Sequence, residues 1–467
     1  MRGVIRCLCV FLLALLAASG VLCEKCSRVT QRLRCGAFAC DTNRGVCAPC
    51  NTSDECYPRA MECRGGECVA KDLASGFSAL LGVALLCAFV VCSIAVLAGV
   101  GGGGIHIPMF CLLMGVPMDI AVGLSQSTTC GQSILNVFLA VQKRFPSAEC
   151  SRPLINYQYL TLLIPLGVIG TLIGGVPNKV FPDLVRSILL FILLVIVLYR
   201  TALKLITQYK KDQAARRETV PVPSSEGEGV VDALHTPEEA PSYTQPQYPW
   251  LEIVCVVFSF LVNLAFAAWR SHTECGGGVY IVTYCIPIVA NVILFLWYRC
   301  RLANMERCRL TFYWGTKTTI LYPLVSIVAG IAAAMLGIGG GLVLGFVLYE
   351  VGLIPEEASV TGGVTTLFLA FSSALSLLIE GRLLIDYAGV FFACGLFSAV
   401  IGDFVFMRLI KKYELRFLIV AALVTITAGS LVFLSGFGIY NSLNIVRNGG
   451  SILTFGRVCR ARGGGGN

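Results

Sequence analysis

Gly99-Val100-Gly101-Gly102-Gly103 interrupts one long apolar run, and Gly337-Ile338-Gly339-Gly340-Gly341 interrupts another in the second half of the chain. A proline stands at the same distance behind each run, at Pro117 and Pro355. Beyond the prolines, Ala121-Val122-Gly123-Leu124-Ser125-Gln126-Ser127-Thr128 aligns with Ser359-Val360-Thr361-Gly362-Gly363-Val364-Thr365-Thr366 at that one offset. A constant offset shared by three features marks an internal duplication, so the chain reads as two copies of one unit.

Consecutive glycines hold a regular helix poorly, each costing about 1 kcal/mol against alanine in a helix interior. Both apolar segments are therefore expected to break at their glycines. Amides freed by a break cannot face lipid unsatisfied, so each break has to line a cavity or be buried against protein. Close helix packing through small residues is the plainer explanation, but it usually uses Gly-x-x-x-Gly spacing rather than a run. Gly99, Gly101 and Gly104 formally satisfy the Gly-x-Gly-x-x-Gly of a dinucleotide site, yet no strand precedes them and Leu342 replaces the third glycine in the second copy. No Gly-Lys-Ser/Thr follows either, which argues against a phosphate-binding P-loop.

Composition places these breaks in a membrane. With 56% hydrophobic and 13% charged residues, the chain carries more apolar length than one soluble core would hold. Windows nearly free of charge, such as Tyr159 to Val176, Ile253 to Ala268 and Phe417 to Leu434, approach or meet the length needed to cross hydrocarbon. The net charge of +9 does not point to nucleic acid, because its lysines and arginines cluster in short loops beside apolar spans, as at Lys143-Arg144 and Lys411-Lys412.

Residues 1–23, with Arg2, Arg6 and an apolar stretch from Cys7 to Ala18, read as a cleavable secretory signal. Residues 24–72 then form a polar, extracytoplasmic module with eight cysteines: Cys26, Cys35, Cys40, Cys47, Cys50, Cys56, Cys63 and Cys68. An even number in so short a segment suggests disulfides, with the pairing open. The Cys47-x-x-Cys50 spacing leaves a zinc site as the lesser alternative, since no second such pair follows. Asn51-Thr52-Ser53 is a glycosylation sequon, in keeping with an extracellular or lumenal face. Other cysteines, including Cys92, Cys111 and Cys130, lie in apolar spans and are expected to pack as small hydrophobes.

The first unit occupies residues 73–206, with a broken segment near 75 to 114 and helices near 119 to 141, 157 to 176 and 185 to 206. A proline-rich, charged linker over 207–249 is expected to be cytoplasmic and disordered. Residues 250–310 hold two extra spans. The second unit covers 311–437, with its broken segment near 318 to 352, and residues 438–467 form a basic tail. Four basic loops, at 143–152, 200–217, 299–309 and 408–416, share one face only if each broken segment enters and leaves on the same side, as a re-entrant hairpin. The same count turns the second unit upside down relative to the first. It also puts the tail, with Arg447, Arg457, Arg460 and Arg462, on the outside, against the positive-inside rule. The expected fold is thus an all-α membrane protein of two inverted repeats, each a broken glycine-rich segment plus three transmembrane helices, behind a small Cys-rich module.

A helix restarting after a glycine break presents free N–H groups and the positive end of its dipole, worth about half a charge. Such an end attracts anions. Two of them meeting in mid-membrane would hold a small oxyanion on the amides of Gly101, Gly102, Gly103, Gly339, Gly340 and Gly341. Ser125, Gln126, Ser127, Thr128, Thr361, Thr365 and Thr366 could complete the shell, the alternative being that each hydroxyl bonds back to its own helix. Of the few ionisable groups at apparent membrane depth, His106 and Asp403 are candidates for coupling an H+ or Na+ gradient. Asp119, Glu356 and Glu357 follow prolines at helix starts and read as caps. No nucleophile, metal or cofactor motif stands out, so neither an enzyme nor a cofactor is expected.

The paired motifs, Gly99-x-Gly101-Gly102-Gly103 with Pro117 and Ser125 to Ser127, and Gly337-x-Gly339-Gly340-Gly341 with Pro355 and Thr361 to Thr366, resemble the TauE/SafE sulfite exporter family, and its eukaryotic branch in the size of the linker. The resemblance covers roughly residues 75 to 437. It implies a duplicated helical carrier in a plasma membrane or endomembrane, moving sulfite, an organosulfonate or a related small anion by alternating access. The chain departs from the family pattern in the Cys-rich module, the linker with its two extra spans, and His106 and Pro108 where the second copy has Leu344 and Phe346. A receptor sensing a ligand through that module is the competing reading.

Overall fold

The structure, a computed structural model, describes residues 31, 35, 38–41, 46–56, 61–71, 79–145, 152–218, 246–274, 276–306, 309–407 and 417–447. The expected signal, most of the linker, the basic loop at 408–416, the far tail and Cys26 lie outside them.

The Cys-rich module is two antiparallel hairpins. β1 (Ala39–Asp41) pairs with β2 (Val46–Ala48), and β3 (Met61–Arg64) with β4 (Glu67–Ala70). Disulfides Cys35–Cys47, Cys50–Cys63 and Cys56–Cys68 stand in for a hydrophobic core this segment is too short to build, and Cys40 is disulfide-bonded as well. Cys50, Cys56 and Cys68 lie close enough together to suggest a metal. All three sulfurs are oxidised, so none is a thiolate ligand. Asn51 is exposed beside this cluster.

The rest is helical. In the first unit α1 (Ala79–Ala98), α2 (Gly103–Leu113), α3 (Met118–Ala140), α4 (Tyr157–Val180) and α5 (Asp183–Glu218) follow one another. The middle helices are α6 (Trp250–Ser271) and α7 (Gly278–Ala303). A π turn (Lys317–Leu321) opens the second unit, which continues with α8 (Tyr322–Leu336), α9 (Gly341–Glu350), α10 (Pro355–Ile379), α11 (Ile385–Ile401) and α12 (Phe417–Arg447). Among the described residues, nine helices are long and apolar enough to cross a bilayer. α2 and α9, with 11 and 10 residues, are too short to do so. α5 runs past the expected end at 206, where Lys210, Lys211, Gln213, Ala214 and Ala215 are good helix formers, and α12 runs on through Arg447.

Burial sorts the helices. α4 is enclosed along almost its whole length, and it approaches α8 so closely that a Cβ on Gly330 would strike the Gly167 carbonyl oxygen. α3 meets α11 in the same way, through Gly131 and Gly395. α5 and α7 lie at the rim and expose apolar stripes at helical spacing, Ile188, Ile192, Val195 and Tyr199 on one, Val282, Ile286, Val289 and Ile293 on the other. In a protein this apolar, such stripes face acyl chains.

Candidate functional site

Both glycine runs break the chain. α1 ends at Ala98, Gly99 turns with φ 66, and α2 starts from Gly102 with φ 62; α8 ends at Gly337 with φ 66, and α9 starts from Gly340 with φ 74. Left-handed backbone at these corners suits glycine and almost nothing else. The two corners are packed against each other. A Cβ on Gly103 would run into the Gly337 carbonyl oxygen, and one on Gly341 would lie 3.1 Å from the Gly99 carbonyl oxygen. Gly99 and Gly337 occupy equivalent places in the repeat, as do Gly103 and Gly341, so the two contacts are reciprocal.

Side chains from elsewhere bind the carbonyls at each break, most of which have no helical partner, Ala333 O alone also taking the Gly337 N–H. On the first run, Ser359 Oγ donates to Leu97 O at 2.6 Å, Thr366 Oγ1 to Gly99 O at 3.1 Å, Gln132 Nε2 to Val100 O at 2.8 Å and Thr129 Oγ1 to Gly101 O at 2.8 Å. On the second, Gln126 Nε2 donates to Ala333 O at 2.5 Å, Asn178 Nδ2 to Ala334 O at 3.0 Å and Ser125 Oγ to Gly337 O at 2.9 Å. All these donors are buried. The first amides of α2 and α9 have no carbonyl a turn earlier in their own helices.

The structure thus brings Ser125, Gln126 and Thr366 to the crossing, holding carbonyls with their hydrogens. Ser127, Thr128 and Thr365 donate to Gly123 O, Leu124 O and Gly362 O of their own helices, and Thr361 Oγ1 accepts the Asn156 N–H at 3.1 Å. His106 is fully buried, with Nε2 3.6 Å from Cys92 Sγ and its ring stacked on Phe110. Asp403 is paired with Lys143 at 2.5 Å.

The caps expected at helix starts are something else. Neither α3 nor α10 has a side-chain cap. Glu357, 2% exposed, takes both Arg152 nitrogens at 2.8 and 3.1 Å and Asn156 Nδ2 at 3.0 Å. Asp119, its counterpart in the repeat, meets Arg382 at 3.5 Å. Arg152 stands just before α4, in the first unit, and Arg382 just before α11, in the second, so the two pairs exchange partners between units. Thr129, Gln132, Ser359 and Asn178 were not anticipated either. A polar series at Ser125, Gln126, Thr129 and Gln132, at helical spacing along α3, is the signal for two of those four, Thr129 and Gln132.

A family profile described as Sulfite exporter TauE/SafE matches residues 84–431. The chain belongs to the TauE/SafE sulfite exporter family. The match spans both glycine corners and every side chain that caps them. Among curated relatives, this TauE/SafE protein is 26% identical to Sulfite exporter TauE/SafE family protein 3 of Arabidopsis thaliana, over 78% of its own length and 80% of the relative's. It is 23% identical to family protein 2 of the same plant, covering 76% and 82%, and 22% identical to family protein 1, covering 78% and 84%. No solved structure matches it. As a member of this family with nine membrane-length helices among its described residues, it is an integral, multi-pass membrane protein.

Proposed function

We propose that the protein is a secondary transporter of a small oxyanion, sulfite or an organosulfonate, working by alternating access between two inverted repeats. The carrying observation is the buried crossing of two broken segments, where the starts of α2 and α9 face each other's corners. Amides of Gly101, Gly102, Gly103, Gly339, Gly340 and Gly341, with the positive ends of two helix dipoles, supply anion affinity there without a lysine. Because their hydrogens are engaged, Ser125, Gln126 and Thr366 act as positioning residues that keep the corner carbonyls turned away from an incoming anion. Ser127, Thr128, Thr361 and Thr365 would reach the solute only by exchanging a bond. The reciprocal corner contacts and the exchanged ion pairs support the inversion, and with it an extracytoplasmic Cys-rich module glycosylated at Asn51.

Coupling to H+ or Na+ would use His106 in preference to Asp403, whose charge Lys143 already neutralises. The profile match excludes the Cys-rich module and covers the spans, which supports transport over a receptor role. Flux of labelled sulfite and small sulfonates into proteoliposomes, with and without pH or Na+ gradients, tests the reading. Gradient-dependent flux that survives deletion of residues 24–72 is expected. Absence of flux for every anion tried overturns it.

A further inference from the structure

Outside the glycine crossing, α6 carries a buried polar row, Ser259, Asn263 and Arg270, although its outer side is lipid-like with Val254, Phe258 and Leu261 exposed. Asn263 Nδ2 donates to Ser372 Oγ on α10 at 2.8 Å, and Ser372 lies 3.0 Å from Thr171 Oγ1 on α4. The row ends in a small pocket, part of it open to the surroundings, lined by Thr171, Asn178, Arg270, Tyr284, Ser373 and Glu380 among others. Arg270 is 7% exposed, and its Nη1 is buried with no hydrogen-bond partner.

Its guanidinium sits over the Tyr284 ring, Cζ 4.3 Å from the centroid. Stacking occupies the face and leaves the N–H edge available. Several charges gathered at this end of the bundle have partners: Lys179 with Glu380 at 2.7 Å, Arg382 with Asp119, and Arg186 with Asp183 and Asn178. Arg270 makes no ion pair at bonding distance among the described residues, and it borders the pocket beside the Glu380 carboxylate that Lys179 already holds. A buried guanidinium N–H without an acceptor is costly, and an oxyanion answers both the charge and the geometry, since its oxygens match the guanidinium edge.

We infer that Arg270, carried by the first of the two middle spans, forms a second oxyanion site with the Ser373 hydroxyl and its neighbours. The middle spans are then part of the binding machinery, not only a connection between units. The occupant is a free oxyanion or the phosphate of a lipid headgroup, which share this chemistry.

Thiol labelling in full-length protein, reconstituted in phosphatidylcholine nanodiscs, tests this without relying on transport. Ser376→Cys lines the pocket, and Gly175→Cys is a second position there whose Cβ would meet open space. Each is reacted with a sulfonate-bearing and a trimethylammonium-bearing methanethiosulfonate, with rates normalised to 2-mercaptoethanol and read by mass spectrometry of the peptide concerned. The sulfonate reagent should be favoured roughly tenfold, as one nearby charge at partial burial allows. Adding Arg270→Gln should bring the ratio to near one, and Arg270→Lys should keep most of it. Millimolar sulfate should slow labelling about threefold by occupying the site. Protection by phosphatidylglycerol instead of sulfate identifies a headgroup as the occupant. A ratio near one with Arg270 intact, a ratio indifferent to Arg270→Gln, or protection by neither anion overturns the site. A flat flux assay beside anion-selective labelling would sink the transport reading and leave this one standing.

Discussion

The two glycine corners share a backbone plan but not a support. On the first corner, two of four carbonyl caps come from its own unit, Thr129 and Gln132 of α3, and two from Ser359 and Thr366 of α10. On the second, all three caps, Ser125, Gln126 and Asn178, come from the first unit. The positions of α10 equivalent to Gln126, Thr129 and Gln132 are Val364, Leu367 and Ala370, which can donate nothing. One helix, α3, therefore holds both corners. The lesson is that duplication preserved the break, where glycine is needed on both sides, while the polar supports needed to exist only once.

The largest effect should come from the part the corners share. Gly103→Val and Gly341→Val both force a side chain into the opposite corner and should cost more than about 4 kcal/mol, read as loss of a monodisperse peak in detergent. If either variant is stable, the close crossing is wrong. Next come the exchanged ion pairs, which differ in burial. Glu357→Gln leaves Arg152 largely buried without its carboxylate and should cost about 3 kcal/mol, whereas Asp119→Asn, at a longer and more exposed contact, should cost about 1 kcal/mol. Equal shifts in melting temperature would remove that distinction.

Replacing a support should cost less again. Gln132→Leu orphans the buried Val100 carbonyl and should cost about 2 kcal/mol, Gln126→Leu leaves Ala333 O its Gly337 N–H and should cost less, about 1.5 kcal/mol, and Val364→Ala should cost about 1 kcal/mol through lost packing alone. Finding α10 as sensitive as α3 would restore symmetry between the corners. The smallest effect concerns pH. Burial by itself would raise the Glu380 carboxyl, but Lys179 beside it, then Arg382 and Arg270, hold it below the ordinary carboxylate value. A lowered folded-state pKa adds stability that is present above the unfolded value and is lost as pH falls through the folded one. Melting curves from neutral to acid should lose stability on that limb in the native protein and flatten there in Glu380→Gln.

Much of this was legible in order along the chain. Gly99 to Gly103 and Gly337 to Gly341 announced the breaks, because a local cost in helix propensity is written into consecutive residues. Membrane length was equally plain for α4 and α12, since hydropathy is a sum over neighbours. The roles of Asp119 and Glu357 were not: position after a proline suggested caps, and their partners, Arg382 and Arg152, are remote in sequence. Ser125 and Gln126 were read as solute contacts, yet residue type alone does not distinguish a hydroxyl free for solute from one already bonded to Gly337.

Residue order by itself determined that this is a membrane chain with two interrupted, duplicated segments and a cysteine-stapled module, because composition, periodicity and repetition are properties of the string. Only the tertiary structure decided that the interruptions lie against each other, that α3 caps both, and that Arg270 borders a pocket with its Nη1 unbonded. Those are contacts between distant residues, set by how helices pack across the bundle, and no stretch of sequence carries them alone.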